Sequence, residues 1–171
     1  NAKPKGVSTL VDPIKDPKDI EKIKVLLKDN PRNFALFALG INTNLRASDL
    51  CKLKLADVWN IEPMGELVLK EKKTDKLRRI NLNSACISAI SRLCLGCKQS
   101  TGEEPLFGGQ RGALTPSTVN SLVKSWCKSI GLRGNYGSHT LRKTWGYQQR
   151  VRFDVGIPEL MVCFNHSTQR M

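Results

Sequence analysis

The chain is 171 residues long and 40% hydrophobic, enough for one ordinary domain to bury a core without disulfide or metal support. Its 28 Lys and Arg outnumber 15 Asp and Glu to give +13, an excess that suits a polyanion better than a neutral small-molecule substrate. No stretch approaches the roughly 18 continuous apolar residues of a membrane span, and the N-terminus lacks the charged-then-apolar order of a secretory signal. The expectation is a soluble, cytoplasmic protein with no membrane partner.

Asn1 and Ala2 read as a tag-cleavage scar, and residues 3–15, with Pro4, Gly6 and Pro13 and no periodicity, as a linker arm. Residues 1–15 are therefore set apart from a domain at 16–171. Asp16 caps a first helix with Pro17 at its first position; Ile20, Ile23, Leu26 and Leu27 follow at helical spacing until Asn30-Pro31. Phe34, Leu36, Phe37, Ala38, Leu39 and Ile41 form a segment that is apolar nearly all round, the mark of a buried helix. After a turn at 42–45, a short helix over 46–53 carries Arg46 at its mouth. Residues 58–61, 66–70 and 77–82 read as strands, with turns at Pro63-Met64-Gly65 and Thr74-Asp75. Helical period resumes over 85–98 and 119–130, the second opened by cap Thr115 and Pro116 and closed by Gly131. Residues 138–150 and 158–164 complete the helices. The fold class expected is α+β, mainly α-helical with a small three-stranded antiparallel sheet.

Most of the six cysteines sit in apolar helical patterns where a reduced thiol is a small hydrophobe. Cys94 and Cys97 form a C-x-x-C, but no second pair stands at zinc spacing and neither histidine is near in sequence. No metal site and no cofactor are expected.

The cationic excess is local. Lys70, Lys72, Lys73, Lys76, Arg78 and Arg79 crowd one hairpin, with Glu71 and Asp75 as its acids. One of the two histidines lies in Ser138-His139-Thr140-Leu141-Arg142, where three-residue helical spacing puts His139 and Arg142 on one face, able to meet one phosphate. Read with Asn44-Leu45-Arg46-Ala47-Ser48-Asp49-Leu50, Lys73-Thr74-Asp75-Lys76 and Asn165-His166-Ser167-Thr168, this order and spacing resembles the signature of the tyrosine recombinase, or phage integrase, family. That pattern has an R-x-x-[ED]-L helix entry, a lysine in a β-turn, an H-x-x-R helix and a late [GN]-H-S-[ST] segment, and the resemblance covers roughly residues 10–171.

The resemblance implies a catalytic domain that cuts and rejoins double-stranded DNA through a 3′ phosphotyrosine link. It implies a homo-oligomer, a tetramer on paired DNA sites, for the full-length protein, and a bacterial, phage or mobile-element origin. Arg46 and Arg142 would hold the nonbridging phosphate oxygens, a role that suits planar guanidinium forks. Asp49 would support the site. Lys73 would protonate the departing 5′ oxygen, His139 act as acid or base near the attacking hydroxyl, and His166 donate to the phosphate. Lys72, Lys76, Arg78 and Lys143 would contact the DNA backbone.

The family's nucleophilic tyrosine falls about nine residues after the last motif histidine, whereas this chain ends at Met171. Tyr136 and Tyr147 do not occupy that place, so the nucleophile is expected beyond Met171 and this piece is expected to be inactive alone. Asn44 and Asn165 stand where glycine is usual. Two other readings fit the same residues: a type IB topoisomerase-like enzyme, and a non-catalytic basic DNA-binding helical module in which these residues are ordinary phosphate contacts.

Overall fold

The computed structural model describes residues 10–62, 64–70, 75–97 and 100–164. Asp16 accepts a hydrogen bond from the Lys18 N–H at 2.8 Å and opens helix α1, Pro17–Leu27, which buries Ile20, Ile23 and Leu27. Asn30-Pro31 does more than end that run. The Asn30 side chain accepts from the Asn33 N–H, and Pro31 occupies the first turn of α2, Pro31–Asn42, because a proline's missing N–H is harmless there.

Helix α2 is the centre of the fold. Ala35 through Gly40 are all buried, as expected of a segment apolar on every side. Around α2 pack α1, α3 (Ala47–Lys52), α5 (Ser84–Cys94) and α7 (Ser138–Arg152), while α6 (Pro116–Ser129) packs on α7. Phe37 of α2 meets Trp126 of α6 edge-on, with ring centroids 6.0 Å apart. Gly40 lets α7 come close: a Cβ there would lie 2.5 Å from Leu141 Cδ1.

The sheet is smaller than the sequence suggests. Strands β1 (Glu66–Lys70) and β2 (Leu77–Asn81) pair antiparallel from Glu66↔Asn81 to Lys70↔Leu77, burying Leu67 and Ile80. The third strand expected at 58–61 does not form. Residues Leu55–Val58 are instead a short helix, α4. The Lys54 N–H donates to Asp57 Oδ2 at 2.7 Å, and Leu55 and Val58, three apart, both face the core. A local cap plus a shared buried face outweighs β-branched propensity over so few residues. A separate two-residue hairpin joins β3, Gly108–Gly109, to β4, Gly112–Ala113.

Helix α5 stops at Cys94, short of the expected 98, with a turn at 95–96; Lys98 lies outside the described residues. Cys86 and Cys127 are core residues, and burial pushes both thiols up to about 12, which keeps them protonated and inert. No helix among the described residues is long and apolar enough to cross a membrane.

Residues 10–16 have no regular structure, yet they are held. Ile14 is buried and its N–H donates to Thr144 Oγ1 at 2.9 Å. Gln148 Nε2 donates to the Lys15 carbonyl at 3.1 Å. This part of the arm thus lies along α7.

The last helix, α8 (Ile157–Phe164), docks on α7 through Phe164. Its ring meets Trp145 edge-on at 5.6 Å and lies over Gly146, where a Cβ would stand 2.7 Å and 2.8 Å from two ring atoms. Gly146→Ala should therefore destabilise the chain by about 1–3 kcal/mol through overpacking, read by denaturant unfolding. Combining it with Phe164→Leu should recover part of that loss; strict additivity of the two substitutions would contradict the contact.

Candidate active site

Arg46 is placed by its neighbours. Thr43 ends α2, its N–H donating to the Leu39 carbonyl at 3.0 Å, and the chain then runs extended into α3. Leu45 and Ala47 are buried on either side, so the backbone is anchored in the core while Arg46 between them stays exposed. The Arg46 N–H donates to Asp49 Oδ2 at 3.0 Å, which satisfies one of the open donors at the start of α3. Asp49 thereby fixes the backbone that carries Arg46.

Arg142 comes from the opposite side, on α7. The start of α7 is pinned to α6, since the Ser138 N–H donates to Asn120 Oδ1 at 3.0 Å, and Thr140 Oγ1 accepts from the Gly137 N–H at 2.9 Å. His139 in the first turn is exposed; Arg142, three residues on, is only 8% exposed. Its guanidinium is fixed from two directions. Nε donates to the Asn44 carbonyl at 2.8 Å and Nη2 to the Phe164 carbonyl at 3.4 Å, while the Phe164 ring lies 4.8 Å from Cζ in a cation–π arrangement.

A third guanidinium joins them. Arg78 reaches in from β2, with Nη2 donating to the Asn44 carbonyl at 2.9 Å and to Asn44 Oδ1, and Nη1 lying 3.7 Å from Asp49 Oδ2. Asn44 completes the junction by donating from Nδ2 to the Cys163 carbonyl of α8 at 2.6 Å.

The electrostatic result is an excess of positive charge. The Arg142 pKa is pushed down from its usual value to about 10, first by burial and then by repulsion from Arg46 and Arg78, with Asp49 acting the other way. The protonated guanidinium is thus penalised in the folded chain, and a bound anion would relieve that penalty. Such a cluster can bind a phosphate and stabilise charge that builds on its oxygens.

Of the site residues expected from sequence, the structure brings Arg46, Asp49 and Arg142 together and puts His139 one helical turn before Arg142. Lys73, Lys72 and His166 lie outside the described residues. Lys76 is exposed beside β2. Lys143 Nζ donates to the Val11 carbonyl at 3.0 Å, toward the arm. Arg78, expected among the backbone contacts, points into the arginine cluster. Asn44 carried no functional expectation, and its only signal in the sequence was its substitution for the usual glycine. Among the described residues, no group of three or more His, Cys, Asp or Glu could hold a metal ion.

Known proteins share this arrangement of elements. The Phage integrase family profile matches residues 16–171. "Probable integrase/recombinase YoeC" of Bacillus subtilis is 34% identical over 164 residues, covering 93% of this chain and 85% of that protein. The crystal structure of XerA recombinase superposes with a TM-score of 0.75 at 19% identity, over 95% of this chain and 59% of that one. XerH site-specific recombinase, in a post-cleavage complex with palindromic difH substrate, gives 0.72 at 21% identity, over 99% of this chain and 50% of that one. The chain thus spans half to three fifths of these solved recombinases. Profile, sequence relatives and fold agree: the chain belongs to the phage integrase family and has the fold of a tyrosine recombinase catalytic domain.

Proposed function

We propose that this chain binds double-stranded DNA and forms the phosphate-holding and proton-transfer part of a strand-cutting and rejoining centre. The observation that carries this reading is the buried Arg142 set against Arg46 and Arg78. A cation held in a fixed pose by backbone carbonyls, with its neighbours also cationic, is suited to a phosphodiester as charge builds on its nonbridging oxygens. Such preorganised donors need no reorientation at the moment of reaction.

In this proposal the nucleophile is a tyrosine carried by chain beyond Met171. Its oxygen bonds to phosphorus as the bond to the 5′ oxygen breaks, giving a 3′ phosphotyrosine. Lys73, in the connection between β1 and β2, gives its proton to the departing 5′ oxygen, and His139 takes the proton of the attacking hydroxyl. One phosphodiester replaces another, so rejoining needs no cofactor. Sequence puts His166 two residues beyond Phe164, or about 7 Å of chain at most, from a residue whose carbonyl already accepts from Arg142. That proximity supports a hydrogen bond from His166 to the same phosphate. Lys72, Lys76 and Lys143 add backbone attraction. A full-length protein would act as a homo-oligomer, a tetramer on paired DNA sites, in the cytoplasm of a bacterial host or on behalf of a phage or mobile element.

Two experiments test this. Inorganic phosphate at tenfold its Kd should stabilise the 171-residue chain by about 1.4 kcal/mol relative to chloride at matched ionic strength, read as a rise in Tm. Arg142→Ala should lose that increment; an equal rise in the variant would place the anion elsewhere. In the protein extended through its tyrosine, Arg142→Ala should abolish covalent trapping of nicked DNA while changing DNA affinity by only about threefold, because other basic residues carry binding. Retained trapping, or no adduct from the extended parent, would refute the proposed chemistry.

A further inference from the structure

Helix α7 begins without a cap of its own. A helix leaves its first N–H groups without partners inside it, and a side-chain acceptor just before the first turn ordinarily takes one of them. Helices α1, α2, α5 and α6 follow that rule through Asp16, Asn30, Asn83 and Thr115. At α7 the cap position is Gly137, which has no side chain to accept with. Thr140 Oγ1 takes the Gly137 N–H at 2.9 Å. The acceptor for the Ser138 N–H comes from a different helix, as Asn120 Oδ1 of α6 at 3.0 Å.

Gly137 and Asn120 are fitted to each other. The Gly137 φ of −173° is extended backbone that any residue adopts, so conformation does not call for glycine there. Space does: a Cβ at Gly137 would overlap Asn120 Oδ1. Asn120 is well placed to act, because Val119 and Val123 bury that face of α6 and the Thr115 cap takes the Thr118 N–H at 3.2 Å. The glycine that deprives α7 of its own cap is thus what admits one from α6.

The consequence falls unevenly along α7. Arg142 lies beyond the first turn, and its guanidinium is held by the Asn44 and Phe164 carbonyls. His139 is the second residue of the helix and is exposed, so its place relative to Arg142 depends on the first turn staying wound. We propose that Asn120 is a positioning residue for His139: by capping α7 from α6 it keeps His139 one helical turn from Arg142, on the face that meets the phosphate. Asn120 does not touch the reacting atoms. This rests on the reading of His139 as the proton acceptor given above.

The test is single-turnover cleavage at saturating duplex by the protein extended through its tyrosine. Asn120→Ala should cut about 10- to 100-fold more slowly than the parent, with duplex affinity within about threefold. Asn120→Asp keeps the accepting oxygen and should return to within about threefold of the parental rate. Gly137→Ala should push Asn120 off the Ser138 N–H and reproduce the loss, and its combination with Asn120→Ala should lie within about threefold of either alone. A parental rate for Asn120→Ala, no recovery in Asn120→Asp, or losses that multiply in the double variant would each overturn the proposal.

In the 171-residue chain itself, Asn120→Ala should speed amide exchange at Ser138 by about tenfold while keeping the phosphate-induced rise in Tm that depends on Arg142. Loss of that rise would place the effect at the arginine cluster and also overturns the proposal. His139→Ala keeps the two questions apart. Parental cleavage in that variant refutes the reading of His139 in the centre, whereas a slow His139→Ala beside a parental Asn120→Ala refutes only the positioning role.

Discussion

Burying a guanidinium is unfavourable unless dipoles replace the water it loses, and much of this molecule is arranged around doing so for Arg142. The Asn44 and Phe164 carbonyls and the Phe164 ring surround it. Asn44 and Phe164 come from different parts of the chain, 98 and 22 residues from Arg142, so both have to be brought there by the fold. Gly146 leaves room for the Phe164 ring, and Gly40 lets α2 and α7 approach closely. Thr43 ends α2 so that the next residue can turn its carbonyl toward Arg142. A disturbance at any of these points would be felt at the guanidinium.

The compensation is incomplete by charge. Dipoles and one aromatic ring hold Arg142 in place, but Arg46 and Arg78 oppose it and Asp49 only partly offsets them. A site left short of negative charge favours an anion, and most strongly one whose charge grows during reaction. Rigidity matters as much as sign. Arg46 has its backbone anchored between two buried residues, and the Arg142 guanidinium is itself held in advance by the Asn44 and Phe164 carbonyls. Exposed lysines on a flexible stem supply attraction without that geometry.

The helices were largely legible because their signals are local: Asp16-Pro17 and Thr115-Pro116 announce caps, and the apolar run through Leu36 and Leu39 requires burial. Residues 58–61 misled because two β-branched residues, Val58 and Ile61, and the aromatic Trp59 carry strand propensity. The Asp57 cap and the shared face of Leu55 and Val58 made a helical turn at Leu55–Val58 instead. The second role of Asn30, as the cap of α2, rests on the same local cap-and-proline pattern as Asp16-Pro17, whereas the end of α5 was visible only in the fold. At the site, Arg46 and Arg142 were readable from motif spacing, but Arg78 looked like one more cation in a basic hairpin.

The sequence by itself determined which side chains are available and what charge they bring, since identity, helical spacing and caps depend on neighbours a few residues away. It therefore revealed the H-x-x-R face, the Arg46 helix entry and the family resemblance. Only the tertiary structure decided that Arg78 turns inward, that Asn44 joins three elements, and that Arg142 is buried beneath Phe164. Those outcomes depend on contacts between residues up to 119 positions apart. Such contacts arise from packing helices around α2, and no local pattern in the chain encodes them.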